Sequence, residues 1–169
     1  MNLKNIINIF MDELMLFTDG SVNTKSKIGY GAYLSTSEFG LPIDLLKKRV
    51  KVRRFENTSS TKLELQTILW ALGDIQALGN KVIVYTDSQN ILSLQARRDR
   101  FEQNDYRSSN NKQIKNHELY KTFYRITDML DCEFFKVRGH KVSSGKDDID
   151  RLFTLVDRAS RNALRADNN

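Results

Sequence analysis

Cysteine, proline and tryptophan each occur only once in the 169 residues of this chain. The single cysteine, Cys132, excludes a framework of intrachain disulfides and is typical of a reducing compartment, so we expect a cytoplasmic location. No apolar run is long enough to cross a membrane, and residues 1–12 are predicted to be a short N-terminal extension. No low-complexity linker divides the chain, which predicts one domain over residues 13–166, acting as a monomer.

Acidic residues are also in deficit, with 21 Asp and Glu against 27 Lys and Arg, a net charge of +6 and a pI near 9.4. A cationic surface favours a polyanionic partner because it releases the counterions of a phosphate backbone. Hydrophobic residues make up 40% of the chain, which is enough for a globular protein with a real core. The composition therefore favours a nucleic-acid partner but excludes a membrane protein.

Apolar periodicity predicts secondary-structure elements in the order βββαβααβα. The strands are predicted at 14–18, from 28, near 49–56, at 81–86 and at 132–138, and the helices at 61–78, 88–97, 116–130 and 148–165. Residues 98–114 are predicted to be irregular. Strands joined by short links should be antiparallel, and strands that alternate with helices should be parallel. The fold class is therefore α/β, with a mixed five-stranded sheet flanked by helices and a charged edge strand near 49–56.

Two apolar runs end in the same way. Leu14–Thr18 leads into Asp19-Gly20-Ser21, and Val82–Thr86 leads into Asp87-Ser88-Gln89. Each run is predicted to be a buried strand with a Thr-Asp pair at its carboxyl end. Ligand sites in α/β sheets lie outside the carboxyl ends of strands. Two aspartates in that position predict a site for cations.

Two further carboxylates are predicted to face the same region. Glu64 lies in the first turn of a long helix at the margin of its apolar stripe, and Asp157 follows Val156 on the last helix. Four converging carboxylates repel one another unless cations neutralise them, and oxygen ligands suit Mg²⁺ or Mn²⁺. Two such ions about 3.5–4 Å apart can activate a water and stabilise a leaving oxygen in phosphodiester cleavage.

Each of these residues has a plainer interpretation. Thr61 and Glu64 match a capping box, in which Glu64 would only cap its helix. Asp19-Gly20 is a common turn signal, and Asp87-Ser88 could be a helix N-cap. The matching strand context of the two Thr-Asp pairs favours the metal site.

The sequence resembles type 1 ribonuclease H over residues 14–165. The residues that carry the resemblance, in order, are Phe17-Thr18-Asp19-Gly20-Ser21, Gly29-Tyr30-Gly31-Ala32, Thr61-Lys62-Leu63-Glu64-Leu65, Tyr85-Thr86-Asp87-Ser88-Gln89, Lys115-Asn116, Val137-Arg138-Gly139-His140 and Val156-Asp157-Arg158-Ala159-Ser160-Arg161. Each motif alone is weak, and the ordered set is specific.

The resemblance implies hydrolysis of the RNA strand of RNA–DNA hybrids with two divalent metal ions, Mg²⁺ or Mn²⁺. Asp19, Glu64, Asp87 and Asp157 would be the metal-binding carboxylates. His140 would lie on a flexible loop and assist proton transfer or product release.

The segment after His140 departs from the family pattern. Asp157 follows His140 by 17 positions, a longer interval than is typical of the bacterial enzymes. Asp150 lies seven positions before Asp157 on the same helix face and is an alternative fourth ligand. We favour Asp157, because residues 156–161 keep the helix pattern of the family.

The resemblance also implies a set of hybrid-binding residues. The family often has an Asn-Asn pair where this chain has Ser59-Ser60-Thr61, whose hydroxyls can still bond an RNA 2′-hydroxyl. Gln89 keeps the family residue and is a predicted minor-groove contact. The full predicted nucleic-acid-binding set is Ser21, Asn23, Ser59, Ser60, Thr61, Gln89, Arg97, Arg98, Lys112, Lys115 and Asn116.

Two basic segments could contribute to that surface. Residues 97–115 hold six basic and three acidic residues with interleaved Phe101 and Tyr106, and they correspond to the basic protrusion with which bacterial members of the family grip the hybrid. The alternative is a solvated loop. A second cluster at 47–54 contains no acid and is either an electrostatic footprint or a charged edge that prevents aggregation.

The favoured function is a hybrid-specific endoribonuclease. A related exonuclease or integrase-type domain is disfavoured, because such exonucleases open with Asp-x-Glu where this chain has Asp19-Gly20-Ser21. The other alternative is a catalytically weak or inactive binding module that keeps the same fold.

Overall fold

The computed structural model describes residues 13–75, 81–137 and 147–167. Its strands are β1 (Glu13–Asn23), β2 (Ile28–Thr36), β3 (Lys51–Phe55), β4 (Lys81–Thr86) and β5 (Asp131–Lys136). Its helices are α1 (Ile43–Arg49), α2 (Ser60–Asp74), α3 (Gln89–Leu92), α4 (Leu94–Gln103), α5 (His117–Met129) and α6 (Asp148–Asp167). Among these described helices, none combines the length and apolar character needed to cross a membrane. The predicted extension at residues 1–12, and His140, lie outside the described residues.

The five strands form one mixed sheet in the order β3-β2-β1-β4-β5. The pairs β1–β2 and β2–β3 are antiparallel, whereas β1–β4 and β4–β5 are parallel. The predicted fold class is therefore confirmed. The position of β3 at the edge is confirmed as well, and its basic side chains are exposed on that edge.

The register of the two central strands aligns their aspartates. Phe17 of β1 is paired with Tyr85 of β4 in the parallel ladder, so Asp19 and Asp87 follow at the same level. The strand β1 does not end at Thr18 as predicted, because its antiparallel pairing with β2 continues through Gly20 as far as Asn23. Asp19 therefore lies within a paired strand, and the turn interpretation of Asp19-Gly20 is wrong.

Helices cover both faces of the sheet because successive strand residues point to opposite faces. On one face, Leu16 and Val84 belong to a buried cluster that also contains Ile68 of α2 and Phe123 of α5. On the other face, Phe17 belongs to a second buried cluster with residues of α1 and α6. The second cluster comprises Met15, Phe17, Ala32, Leu34, Leu46, Val137, Leu152, Phe153, Leu155 and Val156. Two of the helices that carry predicted site residues, α2 and α6, thus lie on opposite sides of β1.

The structure differs from the predicted elements in two further places. Helix α1 was not predicted, because a seven-residue helix with one buried side chain, Leu46, is too short to show a period. The predicted helix at 88–97 is two helices that meet at Ser93, and the second continues through residues predicted to be irregular. Only two side chains of α4 are buried, Leu94 and Phe101, which explains why its apolar pattern is weak.

Candidate active site

Asp19 and Asp87 lie side by side near the middle of the sheet, at the carboxyl end of β4, where β1 continues past it. The threonines before them, Thr18 and Thr86, are buried. Thr86 Oγ1 accepts a hydrogen bond of 3.1 Å from the Ser88 backbone N–H, which turns the chain sharply after β4. Asp19 is partly buried and Asp87 is exposed. The strand ends thus place one enclosed and one open carboxylate next to each other.

Glu64 of α2 lies close to these two strand ends. The N-cap of α2 is Ser59, whose side chain accepts a hydrogen bond from the Lys62 backbone N–H, so Thr61 is not the cap. Glu64 Oε2 instead accepts a hydrogen bond of 2.7 Å from Ser88 Oγ, next to Asp87. The capping-box interpretation of Glu64 is therefore wrong. Ser88, and not Asp87, is the N-cap of α3, since its side chain accepts from the Ile91 backbone N–H.

Asp157 approaches from α6 on the opposite face. Ser160 Oγ, one turn further along α6, donates a hydrogen bond of 3.2 Å to Asp19 Oδ2 and lies 3.0 Å from Ser21 Oγ. The negative charge of Asp157 acts on Asp19, although Arg161 Nε pairs with Asp157 Oδ1 at 2.8 Å. Helix α6 is thus held against β1 at the level of the site.

Asp150, the alternative fourth ligand, has a different role in the structure. It is buried, and its backbone N–H donates to Asp147 Oδ1 at 2.9 Å. The Asp147 backbone N–H donates in return to Asp150 Oδ2 at 3.3 Å. This reciprocal pair lies at the start of α6, so the geometry favours Asp157 as the carboxylate that serves the site.

Asp19 is the carboxylate on which both Asp87 and Asp157 act. Burial, followed by the charges of Asp87 and Asp157, raises its pKa to about 7, against the lowering effect of the Gly20 backbone N–H and the Ser160 hydroxyl. The pKa of Glu64 is also raised, first by burial and then by the charge of Asp87, while Ser88 and Asn90 lower it. Such shifts arise where anionic groups are buried and lie close to one another.

Three of the four predicted carboxylates, Asp19, Glu64 and Asp87, border a narrow cleft of about 10 Å³, with room for one water-sized group, whereas Asp157 is not among its lining residues. Its lining residues are Thr18, Asp19, Gly20, Glu64, Thr67, Thr86, Asp87, Ser88 and Ile91. Within the described ranges, no three acidic, histidine or cysteine side chains are already arranged to hold a metal ion. The donors nevertheless fit Mg²⁺, which usually keeps several waters and binds through only one or two carboxylates plus substrate phosphates. A cation here would also relieve the repulsion that raises the pKa of Asp19.

The predicted hybrid-binding residues lie on several different elements. Ser60 and Gln89 are exposed at the starts of α2 and α3, and Lys112 and Lys115 are exposed before α5. Asn23 Oδ1 accepts from the backbone N–H groups of the β1–β2 turn at 3.0 and 3.3 Å. Ser21, Ser59, Thr61 and Asn116 are partly buried. Their role in binding stays a prediction.

Two arginines of the predicted basic protrusion are engaged within the protein. Arg98 pairs with Glu102 at 2.8 Å and donates to Asp128 Oδ2 at 2.7 Å, which ties α4 to α5. Arg97 donates to Asn90 of α3. Both side chains are partly buried.

Sequence reasoning did not single out Ser88, Asn90 or Ser160, which act on the carboxylates. The spacing of Asp157 and Ser160, one helical turn apart, is a signal that could have indicated a shared face. Asn90 and Arg97 are seven positions apart in the predicted helix at 88–97, a spacing that also indicates a shared face, but the hydrogen bond between them is seen only in the structure.

Known proteins are similar to this chain over most of its length. The profile of the RNase H family matches residues 11–157, a range that includes all four predicted metal-binding carboxylates. A protein named Ribonuclease H from Caldicellulosiruptor saccharolyticus is 26% identical over 160 residues, covering 92% of this chain and 98% of that protein. Another Ribonuclease H, from Syntrophomonas wolfei, is 24% identical and covers 92% of this chain and 99% of its own. A third, from Clostridium botulinum, is 24% identical over 84% of this chain and 93% of its own. With its fold and the match to the family profile, this chain belongs to the RNase H family.

Proposed function

We propose that this protein is an endoribonuclease that hydrolyses the RNA strand of RNA–DNA hybrids with two bound divalent cations, Mg²⁺ or Mn²⁺. The observation that carries the proposal is the crowding of carboxylates around Asp19. Asp87 and Asp157 act on Asp19 from two sides, and burial, followed by the negative charge of these neighbours, raises its pKa to about 7. A cluster that destabilises its own charge is best explained by a cation as its normal partner.

The positions of the carboxylates suggest which side of the site each would serve. Asp19, between the other carboxylates, would hold both cations, while Glu64 and Asp87 would serve one side and Asp157 the other. Cations of this kind activate a water and stabilise the leaving oxygen of a phosphodiester. Ser88 and Ser160 would orient Glu64 and Asp19 through hydrogen bonds of 2.7 and 3.2 Å. His140 stays a predicted proton-transfer residue.

The charge of the chain and the side chains near the cleft support the proposed substrate class. The chain carries a net charge of +6, which attracts a nucleic-acid backbone. Hydroxyl and amide side chains at the starts of α2 and α3, including Ser60 and Gln89, can bond a 2′-hydroxyl in a shallow minor groove, the group that distinguishes RNA from DNA. An RNA–DNA hybrid presents both a 2′-hydroxyl strand for cleavage and a second strand for backbone contacts.

The test is cleavage of one end-labelled sequence presented as hybrid, double-stranded RNA, single-stranded RNA and double-stranded DNA, with Mg²⁺, with Mn²⁺ and with chelator. We expect internal cuts confined to the RNA of the hybrid and lost with chelator. Asp19→Asn should abolish cleavage while hybrid binding survives. The matched control is Asp44→Asn, an exposed carboxylate of α1 paired only loosely with Lys47 at 3.5 Å, which should cleave normally.

Two results would contradict the proposal. Normal turnover by Asp19→Asn would remove Asp19 from the reaction. Folded protein that binds the hybrid but cuts none of the four substrates would instead support the inactive binding module.

A further inference from the structure

The basic segment at 47–54 forms an exposed surface along the β3 edge of the sheet, and the proposed function leaves it without a role. Its cations lie in the last turn of α1 and on β3, namely Lys47, Lys48, Arg49, Lys51, Arg53 and Arg54. All six residues are exposed. Charged residues in such a position can simply protect an edge strand from pairing with another chain. Their individual partners show whether that explanation is sufficient.

The cations of this surface differ in their partners. Three of them are paired with carboxylates, in the pairs Lys47–Asp44, Lys51–Asp74 and Arg54–Glu56. The other three, Lys48, Arg49 and Arg53, form no ion pair with any residue that the structure describes. Uncompensated positive charge on one surface attracts a polyanion.

One groove of about 360 Å³ collects part of this charge. Lys48, Arg49 and Lys51 line the groove, and Asp74 at the end of α2 lines it as well. The Asp74 carboxylate is already bound, because Tyr33 Oη donates to its Oδ2 at 2.7 Å and Lys51 Nζ donates to the same oxygen at 3.2 Å. The groove therefore carries more positive than negative charge, and its single carboxylate is engaged within the protein.

The guanidinium of Arg53 is held in place by aromatic rings. It lies over the rings of Phe55 and Trp70, with centroid distances of 5.3 and 5.8 Å. Lys51, two residues earlier and therefore on the same face of β3, lies over the ring of Tyr33 at 5.5 Å. A cation that is already oriented loses less conformational entropy when it binds a phosphate. Protection of an edge needs only solvated charge, so the fixed orientation of these cations favours a ligand.

The register of the sheet relates this surface to the candidate active site. Arg53 is paired with Gly31 of β2, and Gly31 is paired with Gly20 of β1, the residue after Asp19. Two strand spacings therefore separate Arg53 from Gly20, a distance of about 10 Å. That distance corresponds to about three base pairs along a duplex. A duplex that occupies the cleft would thus meet this surface with a part other than the bond that is cut.

We propose that the basic strip, defined as Lys48, Arg49, Lys51 and Arg53, binds the phosphate backbone of the substrate duplex outside the segment that is cut. Charge complementarity carries the inference, because a duplex presents one negative charge per about 1.7 Å of its axis. The inference rests on the proposed function, which supplies a nucleic-acid duplex as the substrate. Phosphate contacts hold a duplex without reading its sequence. The basic strip therefore raises the affinity for long substrates and does not change which bond is cut.

The test measures how the affinity for an RNA–DNA hybrid depends on salt. The double variant Arg49→Gln/Arg53→Gln is compared with the unmodified protein and with Arg125→Gln/Arg151→Gln, a matched control that removes two exposed arginines from α5 and α6. Binding is followed by fluorescence anisotropy in chelator, with a hairpin hybrid of about 6 base pairs and a hybrid of about 30, which are about 20 and 100 Å long. Thermal unfolding reports on folding, and cleavage of the short hybrid in Mg²⁺ gives kcat.

We expect the slope of log affinity against log salt on the long hybrid to fall by about 2 for Arg49→Gln/Arg53→Gln, since each lost phosphate contact removes about 1. Affinity at physiological salt should fall about three- to tenfold. Affinity and kcat on the short hybrid should stay unchanged, and the control should keep its slope on both hybrids. Arg49→Lys/Arg53→Lys should keep most of the slope, because a phosphate contact needs the charge. Lys48→Gln, with an expected fall of about 1, stands in should the double variant not fold.

An unchanged slope on the long hybrid would overturn the inference and leave these cations as protection of the β3 edge. An equal loss of affinity on both hybrids, together with a lower kcat, would also overturn it, because the basic strip would then belong to the cleft. Binding in chelator separates this inference from the proposed function. Unmodified protein that binds both hybrids but cuts neither contradicts the proposed function, whereas normal cutting with equal slopes contradicts only the inference.

Discussion

Replacing Asp19 with asparagine should make the metal-free protein more stable at alkaline pH. The pKa of Asp19 rises from an ordinary 3.8 to about 7 because of burial and the charges of Asp87 and Asp157. When a carboxyl group binds its proton more tightly in the folded state, the protein loses stability as pH rises from the pKa of that group in the unfolded state to its pKa in the folded state. Folded protein at pH 8 therefore carries a penalty that is absent near pH 4. The introduced asparagine would be uncharged at both pH values, and its side-chain oxygen can still accept the hydrogen bond of Ser160.

The size of the penalty follows from the shift. Each tenfold change in proton affinity is about 1.4 kcal/mol, so the full rise corresponds to about 4 kcal/mol. Asp19 is partly exposed, and solvent screening reduces the expected gain to about 2 kcal/mol. Removal of a group that we propose to hold cations is thus expected to stabilise the apo fold, which is unusual for a substitution in a packed region.

The assay is urea unfolding in chelator at pH 4.5 and pH 8, with Asp19→Asn and the unmodified protein side by side. The gain of Asp19→Asn should be present at pH 8 and small at pH 4.5. Added Mg²⁺ should stabilise the unmodified protein more than Asp19→Asn, because the ion neutralises the charge. Asp44→Asn, the exposed control, should change the free energy of unfolding by less than about 0.5 kcal/mol at either pH. Equal or lower stability of Asp19→Asn at pH 8 would refute the reasoning that burial and the neighbouring carboxylates penalise the charged form of Asp19.

Two further predictions concern the scaffold. Gly31→Ala should lower the free energy of unfolding by about 1–3 kcal/mol in urea titrations, because its added Cβ would collide with Thr67, whose own Cβ would lie 3.0 Å away. The control is Gly73→Ala in α2, where nothing lies within 4 Å of the added carbon, so the free energy of unfolding should stay equal or rise. An unchanged free energy of unfolding for Gly31→Ala would contradict the close approach of α2 to β2. Asp128→Asn should lower the midpoint of thermal unfolding at pH 7 but not at pH 2. Arg98 holds the pKa of Asp128 below its ordinary value, so the ion pair stabilises the protein above the pKa of the unfolded state, and this stabilisation is lost as pH falls through the pKa of the folded state. A difference in midpoint that does not change with pH would exclude the ion pair as its cause.

Local pattern was sufficient for most of the fold. Each predicted strand and the helices at 116–130 and 148–165 correspond to an observed element, because apolar residues repeat with the period of the structure that buries them. Prediction failed where a partner elsewhere in the chain decides the outcome. The strand β1 extends past Asp19 only because β2 pairs with it, and α4 is a helix whose arginines are satisfied by residues of α3 and α5.

The same division applies to the candidate site. The two Thr-Asp pairs were recognisable along the chain, and their predicted proximity is confirmed by the parallel pairing of β1 with β4. Whether Glu64 caps its helix could not be decided locally, because Thr61 and Ser59 are both good capping residues. The choice depended on Ser88, which is distant in sequence and whose hydroxyl lies 2.7 Å from the Glu64 carboxylate in the fold.

The sequence by itself determined the order of the five strands and of the longer helices, the acidic residue types at the strand ends and the positive net charge, since these depend on residue identity and short-range spacing. Only the tertiary structure decided which carboxylates act on Asp19, why its pKa is raised, and that Arg97 turns toward Asn90. Burial, Coulomb interactions and hydrogen bonds act between atoms that are close in space, and such neighbours come from parts of the chain that no local pattern connects.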